Sequence, residues 1–292
     1  MERQNINSKP NVPGPKPDIY RYHDYREFLR DWIQFRKETV PNFSLRVLAT
    51  EAKVALGFLS MGLSGKRSFS AETLSKMVKP LRLKAMEASY LELLRVVAES
   101  DDQEVRINAL KRLQRSQAYR RQNPKETEAY RYLTHWYYVA IREMAGMKDF
   151  QASPNWIQNT LHPKIPLKDV QEALKFLTEN GYVDVTSEGK AKLVNKNIEC
   201  LGGVYRVAIA QYHTQMLGLA AQALHDFPLA ERTVLGHTMA ISKANYDEVQ
   251  QVLEKALKEI SVIGNRSKDP DTVYHIGFNA FPMTHTGTRG EK

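Results

Sequence analysis

The sequence is poor in the residues that build covalent cross-links and membrane spans. Its 292 residues include a single cysteine, Cys200, so no disulfide can form within the chain. No apolar run reaches the roughly 20 residues that a membrane-spanning helix needs. We therefore expect a cytoplasmic protein that does not enter a membrane, and a lone cysteine suits a reducing compartment.

The familiar motifs of catalytic and cofactor sites are also missing. The chain has no glycine-rich phosphate loop, no nucleophile elbow, no His-Glu-x-x-His helix and no Cys-x-x-Cys pair. Its eight histidines are dispersed, and none stands at zinc-ligand spacing from another ligand type. The sequence therefore predicts no enzyme activity, no metal and no cofactor.

Basic residues are present in excess, and the excess lies in one half of the chain. The net charge is +9. Residues 1–125 hold 24 basic and 14 acidic side chains, whereas residues 126–292 hold 18 and 19. A protein that binds nucleic acid gains affinity by neutralising phosphates and releasing their counterions. The asymmetry favours nucleic-acid binding by the first half over a merely solubilising surface.

Residues 44–83 have the spacing of a helix-turn-helix followed by one more helix. The pattern predicts a short amphipathic helix over 46–52, a tight turn at Lys53 and a second helix over 56–63. Ser70 is a good N-cap for the third helix. Two helices joined in this way can place one of them in the DNA major groove.

This spacing resembles the Cro/repressor-like, Xre-type helix-turn-helix. The matching positions are Ala49, Ala52, Val54, Leu59, Ser60, Leu63, Gly65, Lys66 and Arg67, followed by Glu72, Thr73, Leu74 and Lys76. The resemblance implies that this module docks on double-stranded DNA. Arg46, Lys53, Lys66 and Arg67 would then bind phosphates, and Ser60 would touch a base edge or a phosphate.

The sequence departs from this family in two places. Lys53 stands at the turn where the family usually has glycine. In the presumed recognition helix, Ser60 is the one side chain well suited to reading base edges. The second departure favours phosphate contacts over base readout, and it leaves open an adaptor in which a vestigial helix-turn-helix binds protein.

The predicted fold is mainly α with a smaller α+β part. It comprises an Xre-like helix-turn-helix bundle, a central winged-helix-like domain, and a C-terminal helix followed by a strand–helix–strand unit. The predicted segments are a disordered lead over 1–19, the DNA-binding domain over 20–101, a basic helical connector over 102–125, the winged-helix-like domain over 126–198, a dimerisation or sensing domain over 199–283 and a disordered tail over 284–292.

The connector is predicted as one basic helix over residues 102–121. Its arginines include Arg112, Arg115, Arg120 and Arg121. They are interpreted either as a solvated surface or as contacts for flanking phosphates or a small anionic ligand. A nucleotide second-messenger sensor that controls DNA binding is therefore an alternative to a plain DNA-binding regulator.

The C-terminal segment is predicted to contain two strands, over 233–241 and 272–281, around a helix over 245–263. Along the second segment Val273, His275 and Gly277 alternate with Tyr274, Ile276 and Phe278, which fits partial burial. A sheet of two strands is marginal by itself. The sequence therefore predicts that this segment helps to form a homodimer.

The order of segments also resembles that of a known family. The three most specific pieces are the Tyr22–Trp32 helix, the Ser-Gly-Lys-Arg run at 64–67 and the closing Phe-Asn-Ala-Phe-Pro-Met-Thr run at 278–284. Together they resemble a bacterial family of transcriptional regulators that have an N-terminal Xre-like helix-turn-helix and a C-terminal domain of unknown function. The resemblance covers about residues 20–283 and implies a cytoplasmic, DNA-binding regulator, which the predicted dimerisation segment would make a homodimer.

Overall fold

The structure is a computed structural model that describes residues 14–186, 191–194 and 203–284. These residues are mainly helical and contain one two-stranded antiparallel sheet. The predicted combination of a mainly α fold with a small β part is confirmed at this level. Within the described ranges, no helix has both the length and the apolar character required to cross a bilayer.

The chain divides into two compact units. The first comprises Met1–Thr134 and Asn197–Tyr212, and the second comprises His135–Lys196 and His213–Lys292. The sequence placed a domain boundary at residue 126, but α8 (Pro124–Leu133) belongs to the first unit.

The first unit begins with a short 3-10 turn over Ile19–Arg21 and continues as a bundle of helices. Its helices are α1 (Tyr25–Thr39), α2 (Leu45–Glu51), α3 (Leu56–Leu63), α4 (Ala71–Val78), α5 (Ala85–Glu99), α6 (Gln103–Arg115), α7 (Gln117–Gln122) and α8. The two helices predicted for the helix-turn-helix therefore form, and the second has the predicted bounds.

Side-chain caps explain where the early helices begin. Asp24 Oδ1 accepts the Arg26 amide at 2.6 Å at the start of α1. Ser44 Oγ accepts the Val47 amide at 3.2 Å before α2, and Ser70 Oγ does the same for Thr73 at 3.1 Å before α4. Each oxygen accepts a hydrogen bond from an N–H group that has no partner within its helix. These capping residues therefore determine where each helix begins.

The core of the first unit is built on the aromatic face of α1. Tyr25, Phe28 and Trp32 are buried there, and Leu59 of α3 packs into the same cluster. Trp32 Nε1 donates a hydrogen bond to the Leu81 carbonyl at 2.8 Å, which satisfies the buried indole. The aromatic stripe is therefore a packing surface that fixes α3 on the bundle.

Two helices predicted as continuous are interrupted. The basic connector breaks between α6 and α7 at Ser116, which is extended (φ −67°, ψ 120°) and caps α7 by accepting the Tyr119 amide. The spacing of Tyr130, Leu133, Tyr137 and Ile141 likewise predicts one helix over 126–145, but the chain breaks at His135 (φ −135°, ψ 120°), between α8 and α9. In both places the backbone leaves the helical region although the apolar spacing continues.

The second unit contains three helices and then a hairpin. They are α9 (Trp136–Met144), α10 (Pro154–Thr160), α11 (Leu167–Glu179), β1 (Val183–Val185) and β2 (Ala191–Leu193). The hairpin pairs Val183 with Leu193 in an antiparallel register. α11 contacts α9, α10 and β1, so it is the central helix of this group.

Two long helices complete the described chain, α12 (Gly203–Asp226) and α13 (Lys243–Asn265). The part of α12 up to Tyr212 belongs to the first unit, where Val207 and Ala208 are buried. The remainder of α12 and all of α13 belong to the second unit.

The strands predicted over 233–241 and 272–281 are not formed as paired strands. Both segments run without a helix, turn or bend and are here called the extended segments, and neither takes part in a β-ladder with any residue that the structure describes. The helix predicted between them is present as α13, but none of its residues is buried. The alternation of apolar residues indicated extended backbone, whereas pairing also requires a neighbouring strand.

Gly62→Ala should destabilise the protein, whereas Gly57→Ala on the same helix should not. A Cβ at Gly62 would lie 2.1 Å from ring atoms of Phe69, whereas a Cβ at Gly57 would have nothing within 4 Å. We expect Gly62→Ala to lower the free energy of unfolding by about 1–3 kcal/mol, as overpacking does. Gly57→Ala should raise it by about 0.5–1 kcal/mol. Urea denaturation followed by circular dichroism tests the pair, and a neutral Gly62→Ala would contradict the packing.

Candidate nucleic-acid interface

The outer face of α3 is open to solvent. Leu56, Gly57, Ser60 and Met61 are exposed, whereas Leu59 on the inner face is completely buried. Ser60 is the polar side chain of this exposed face. The helix therefore presents a small, mostly apolar surface with one hydroxyl near its middle.

The turn between α2 and α3 has the geometry that the sequence predicted. The Val54 amide donates to the Ala49 carbonyl at 2.9 Å, and Ala49 and Ala52 are buried where the two helices meet. Lys53 has a φ of +53°, in the left-handed region. Glycine reaches this region without strain, whereas the Cβ of Lys53 makes it unfavourable.

The end of α3 carries two of the predicted phosphate contacts. Gly65 has a φ of +78° and reverses the chain, and the Lys66 amide then donates back to the Met61 carbonyl at 2.9 Å. This is the usual glycine termination of a helix. Lys66 and Arg67 follow at once, and both are exposed.

Two arginines of α1 hold the last carbonyls of α3. Arg26 Nε donates to the Gly62 carbonyl at 3.1 Å, and Arg30 Nη1 donates to the Leu63 carbonyl at 2.8 Å. The carbonyls at a helix end have no partner within the helix, so these bonds satisfy them. Sequence reasoning missed both residues, because neither has a local pattern that indicates a partner more than 30 positions away.

Glu99 at the end of α5 joins α1 to the loop after α3. Its carboxylate accepts the Tyr25 hydroxyl at 2.8 Å, accepts the Ser68 hydroxyl and forms an ion pair with Arg26. Burial acts to raise the pKa of Glu99, but the three donors outweigh it and the pKa is lowered. Since Ser68 directly follows Arg67, Glu99 positions the loop that carries the two cations.

The predicted phosphate-binding residues lie around α3. Arg46 is on α2, Lys53 is in the turn before α3, and Lys66 and Arg67 come after it. All four are exposed, and none forms an ion pair with any residue that the structure describes. Their charges are therefore available to an external anion.

The first turn of α3 adds backbone donors to this set. Ala55 occupies its N-cap and supplies no side-chain hydrogen bond, unlike the serines that cap α2 and α4. Free amides at a helix N-terminus bind phosphate oxygens, and the helix dipole favours the negative charge. Together with Lys53, these amides place positive charge at the start of α3.

The arginines of the basic connector are only partly available. Arg120 Nη1 donates to the carbonyls of Gln114 and Arg115, at 2.9 and 3.0 Å, and so closes the end of α6. Arg112 and Arg115 are exposed one turn apart on α6, and Arg121 is exposed on α7. The Arg120 guanidinium is therefore hydrogen-bonded to the main-chain carbonyl of Arg115, which gives Arg120 a structural contact.

The central helix of the second unit presents a different surface. Along α11, Lys168 pairs with Glu172 at 3.9 Å, and Lys175 pairs with Glu179 at 3.7 Å. These two lysines of α11 are thus each paired with an acidic side chain one turn away, whereas the four cations around α3 form no ion pair with a described residue. Across the described part of the chain, no group of three side chains is arranged to hold a metal ion.

A comparison with protein-family models identifies the C-terminal part of the chain. The model of a domain of unknown function, DUF4423, matches residues 116–283, which is more than half of the chain. The chain therefore belongs to the DUF4423 family. Searches of curated proteins and of solved structures gave no match.

The family match begins at Ser116, where α6 ends, and extends through the second extended segment. The predicted C-terminal domain of unknown function is confirmed by this match. The helix-turn-helix over 44–83 lies outside the matched residues, so its DNA-binding function stays a prediction.

Lys53→Gly should stabilise the first unit. A residue with a Cβ in the left-handed region costs about 1 kcal/mol relative to glycine, and Lys53 has that conformation. We expect a gain of about that size in the free energy of unfolding, measured by urea denaturation. Asn42→Gly is the matched control: Asn42 has a φ of 60°, but asparagine tolerates it better, so its gain should be smaller. Equal gains at both positions would argue against strain at Lys53.

Glu99→Gln should change how stability depends on pH. A lowered pKa in the folded state means that the carboxylate stabilises the fold above its unfolded pKa of about 4.3, and this contribution is lost as the pH falls through the folded value. The stability difference between the parent and Glu99→Gln should therefore be largest near pH 6 and shrink towards pH 3. Chemical denaturation across this range measures it. Glu104→Gln, at an exposed position of α6, is the control, and identical profiles for both variants would contradict the network.

Proposed function

We propose that this protein is a DNA-binding transcriptional regulator that acts as a homodimer, with its first unit on the DNA. One observation carries the proposal. The outer face of α3 is exposed between Lys53 at one end and Lys66 and Arg67 at the other, and none of these cations forms an ion pair among the residues described.

The dimensions of α3 suit the major groove. Its eight residues span about 12 Å at 1.5 Å per residue, and the groove is about 12 Å wide. With the outer face towards the bases, cations at both ends of the helix reach the phosphates that border the groove. Arg46 on α2 extends the same contact along the backbone.

Base recognition by this helix is limited by its chemistry. Ser60 can donate to or accept from a base edge, and Leu56 and Met61 can contact thymine methyl groups. One hydroxyl and two apolar side chains discriminate weakly, so much of the specificity comes from reading two half-sites. A dimer provides the second helix, with half-sites about one turn of DNA apart.

The second unit is proposed to handle protein contacts rather than DNA. Its helix and strand order, α9 to α11 followed by the β1–β2 hairpin, supports a winged-helix interpretation. Winged helices bind either DNA or protein. The paired charges along α11 and the near-neutral balance of residues 126–292 favour protein.

A protein-interaction adaptor is the second candidate. Leu56 and Met61 are each 38% exposed on α3, and apolar residues on an exposed helix face also suit a protein partner. The two functions differ in one measurement, the retention of genomic DNA fragments by the purified protein at low salt. Retention favours the regulator, and its complete absence favours the adaptor.

Lys66→Ala combined with Arg67→Ala should weaken DNA binding on every sequence. Each lost phosphate contact reduces the slope of log K against log salt by about 0.9, so the pair should reduce it by about 1.8. Fluorescence anisotropy with a duplex at several salt concentrations measures both quantities. The control, Lys168→Ala with Lys175→Ala, removes the same charge from α11 of the other unit.

These variants separate a local contact from a general effect of charge. The proposal requires a flatter slope for the α3 pair and an unchanged slope for the α11 pair. An unchanged slope for Lys66→Ala with Arg67→Ala, or equal losses for both pairs, would count against phosphate contacts at the end of α3.

A further inference from the structure

The segment from Leu229 to Met283, here called the C-terminal arm, exposes its apolar side chains. It contains fourteen of the twenty large hydrophobic residues that are exposed in the described ranges. None of its residues is buried, and Leu235 is 90% exposed. Soluble monomers rarely leave apolar surface in such concentration, so the arm is a candidate interaction surface.

The two extended segments of the arm each present an apolar face. Leu235, Met239 and Ile241 alternate along the first segment, and Tyr274, Ile276 and Phe278 alternate along the second; all six are at least 41% exposed. Side chains two positions apart lie on the same face of an extended chain. Each segment therefore has the pattern of a strand with one apolar side, although neither forms a ladder with another described part of the chain.

The arm folds back on itself within the second unit. The Pro270 carbonyl accepts the Lys148 amide at 2.9 Å, and the Tyr246 hydroxyl lies 3.5 Å from the Ala280 carbonyl. The second segment thus returns towards the start of α13, close to where the first segment ends. Val273, on the opposite face from Tyr274, is only half-exposed. The inner side is partly covered by the chain itself, and the outer side is open.

We propose that the C-terminal arm binds the arm of a second copy of this chain. The apolar faces pack together, and the extended segments of the two copies pair into an intermolecular antiparallel sheet. This inference rests on the homodimer of the proposed function and specifies the surface that forms it.

The backbone of the extended segments favours an occupant that supplies strands. Covering the apolar faces removes water from the N–H and C=O groups beneath them, and buried backbone groups require hydrogen-bond partners. An unpaired strand edge is a ready template for another strand. A second arm meets both needs, because it brings the same apolar face and, over 233–241, a backbone that forms no ladder with any described residue.

The charge of the arm favours a copy over a partner of opposite charge. The arm has six basic and seven acidic side chains, so two arms do not repel each other strongly. On α13, Lys243 pairs with Asp247 at 3.2 Å and Lys255 pairs with Glu259 at 3.9 Å. These charges are balanced within the helix. In a dimer with a two-fold axis, the same surface of each copy forms the contact.

The apolar area exposed on the whole arm, α13 included, is comparable with that of a stable dimer interface. Complete burial of one large aliphatic side chain removes about 60–120 Å² from water. Fourteen side chains at their observed exposures therefore offer on the order of 800 Å² per copy. A standard stable interface buries about 800 Å² on each partner.

The mass of the wild-type chain in solution is the first test. Sedimentation equilibrium at about 50 μM, without nucleic acid, should give twice the 33.5 kDa chain mass. Leu235→Glu combined with Phe278→Glu should raise the dimer dissociation constant by on the order of 100-fold, because charges would enter the apolar contact. Met86→Glu is the control, since Met86 is 75% exposed but lies outside the arm, and this variant should remain dimeric.

Hydrogen exchange of the wild-type chain provides a second test that needs no variant. Amides in 233–241 and 272–281 should exchange more slowly at about 50 μM than below 0.5 μM, because only the dimer pairs them. A monomeric wild type, a double variant that stays dimeric, or exchange in these segments that does not depend on concentration would each overturn the proposal. None of these measurements involves DNA, so failure of DNA binding and failure of the arm contact are separate results.

Discussion

The candidate interface depends on how the first unit closes the C-terminal end of α3. This helix has eight residues, too few to be stable alone, so its order comes from what it packs against. Leu59 anchors its inner face, and Arg26 and Arg30 satisfy its last carbonyls. Because Glu99 holds Arg26 and also Ser68, one carboxylate connects the end of α3 with the loop that follows it.

This arrangement gives the basic residues of the first unit two distinct functions. Arg26 and Arg30 are used inside the bundle, where their donors face carbonyl groups. Lys53, Lys66 and Arg67 are exposed at the two ends of the same helix. Arg26 and Arg30 therefore fix the end of α3 and, with it, the placement of the exposed cations. A substitution at Glu99 would alter that exposed surface through the loop at Ser68.

Local signals in the sequence predicted most of the helix-turn-helix. They could not predict contacts between residues that are far apart in the sequence. Ser70 and Gly65 act within a few residues, so the start of α4 and the end of α3 could be predicted. Arg26 meets a carbonyl 36 positions away, for which no spacing rule exists. The break at Ser116 was missed because apolar residues keep their helical spacing across it, while the serine hydroxyl provides a competing cap.

The C-terminal arm shows a different limit of local reasoning. Alternation along 272–281 predicted a strand, but a strand is completed by a neighbour, and the described chain offers none. Ordering a residue costs about 1–2 kcal/mol, and exposed pairs such as Lys243–Asp247 return well below 1 kcal/mol each. An arm without a buried residue gains little of that cost back from its own chain, and the proposed contact with a second copy would supply more. If those contacts are made by a second copy, protein concentration decides whether one or two α3 helices are presented to DNA together.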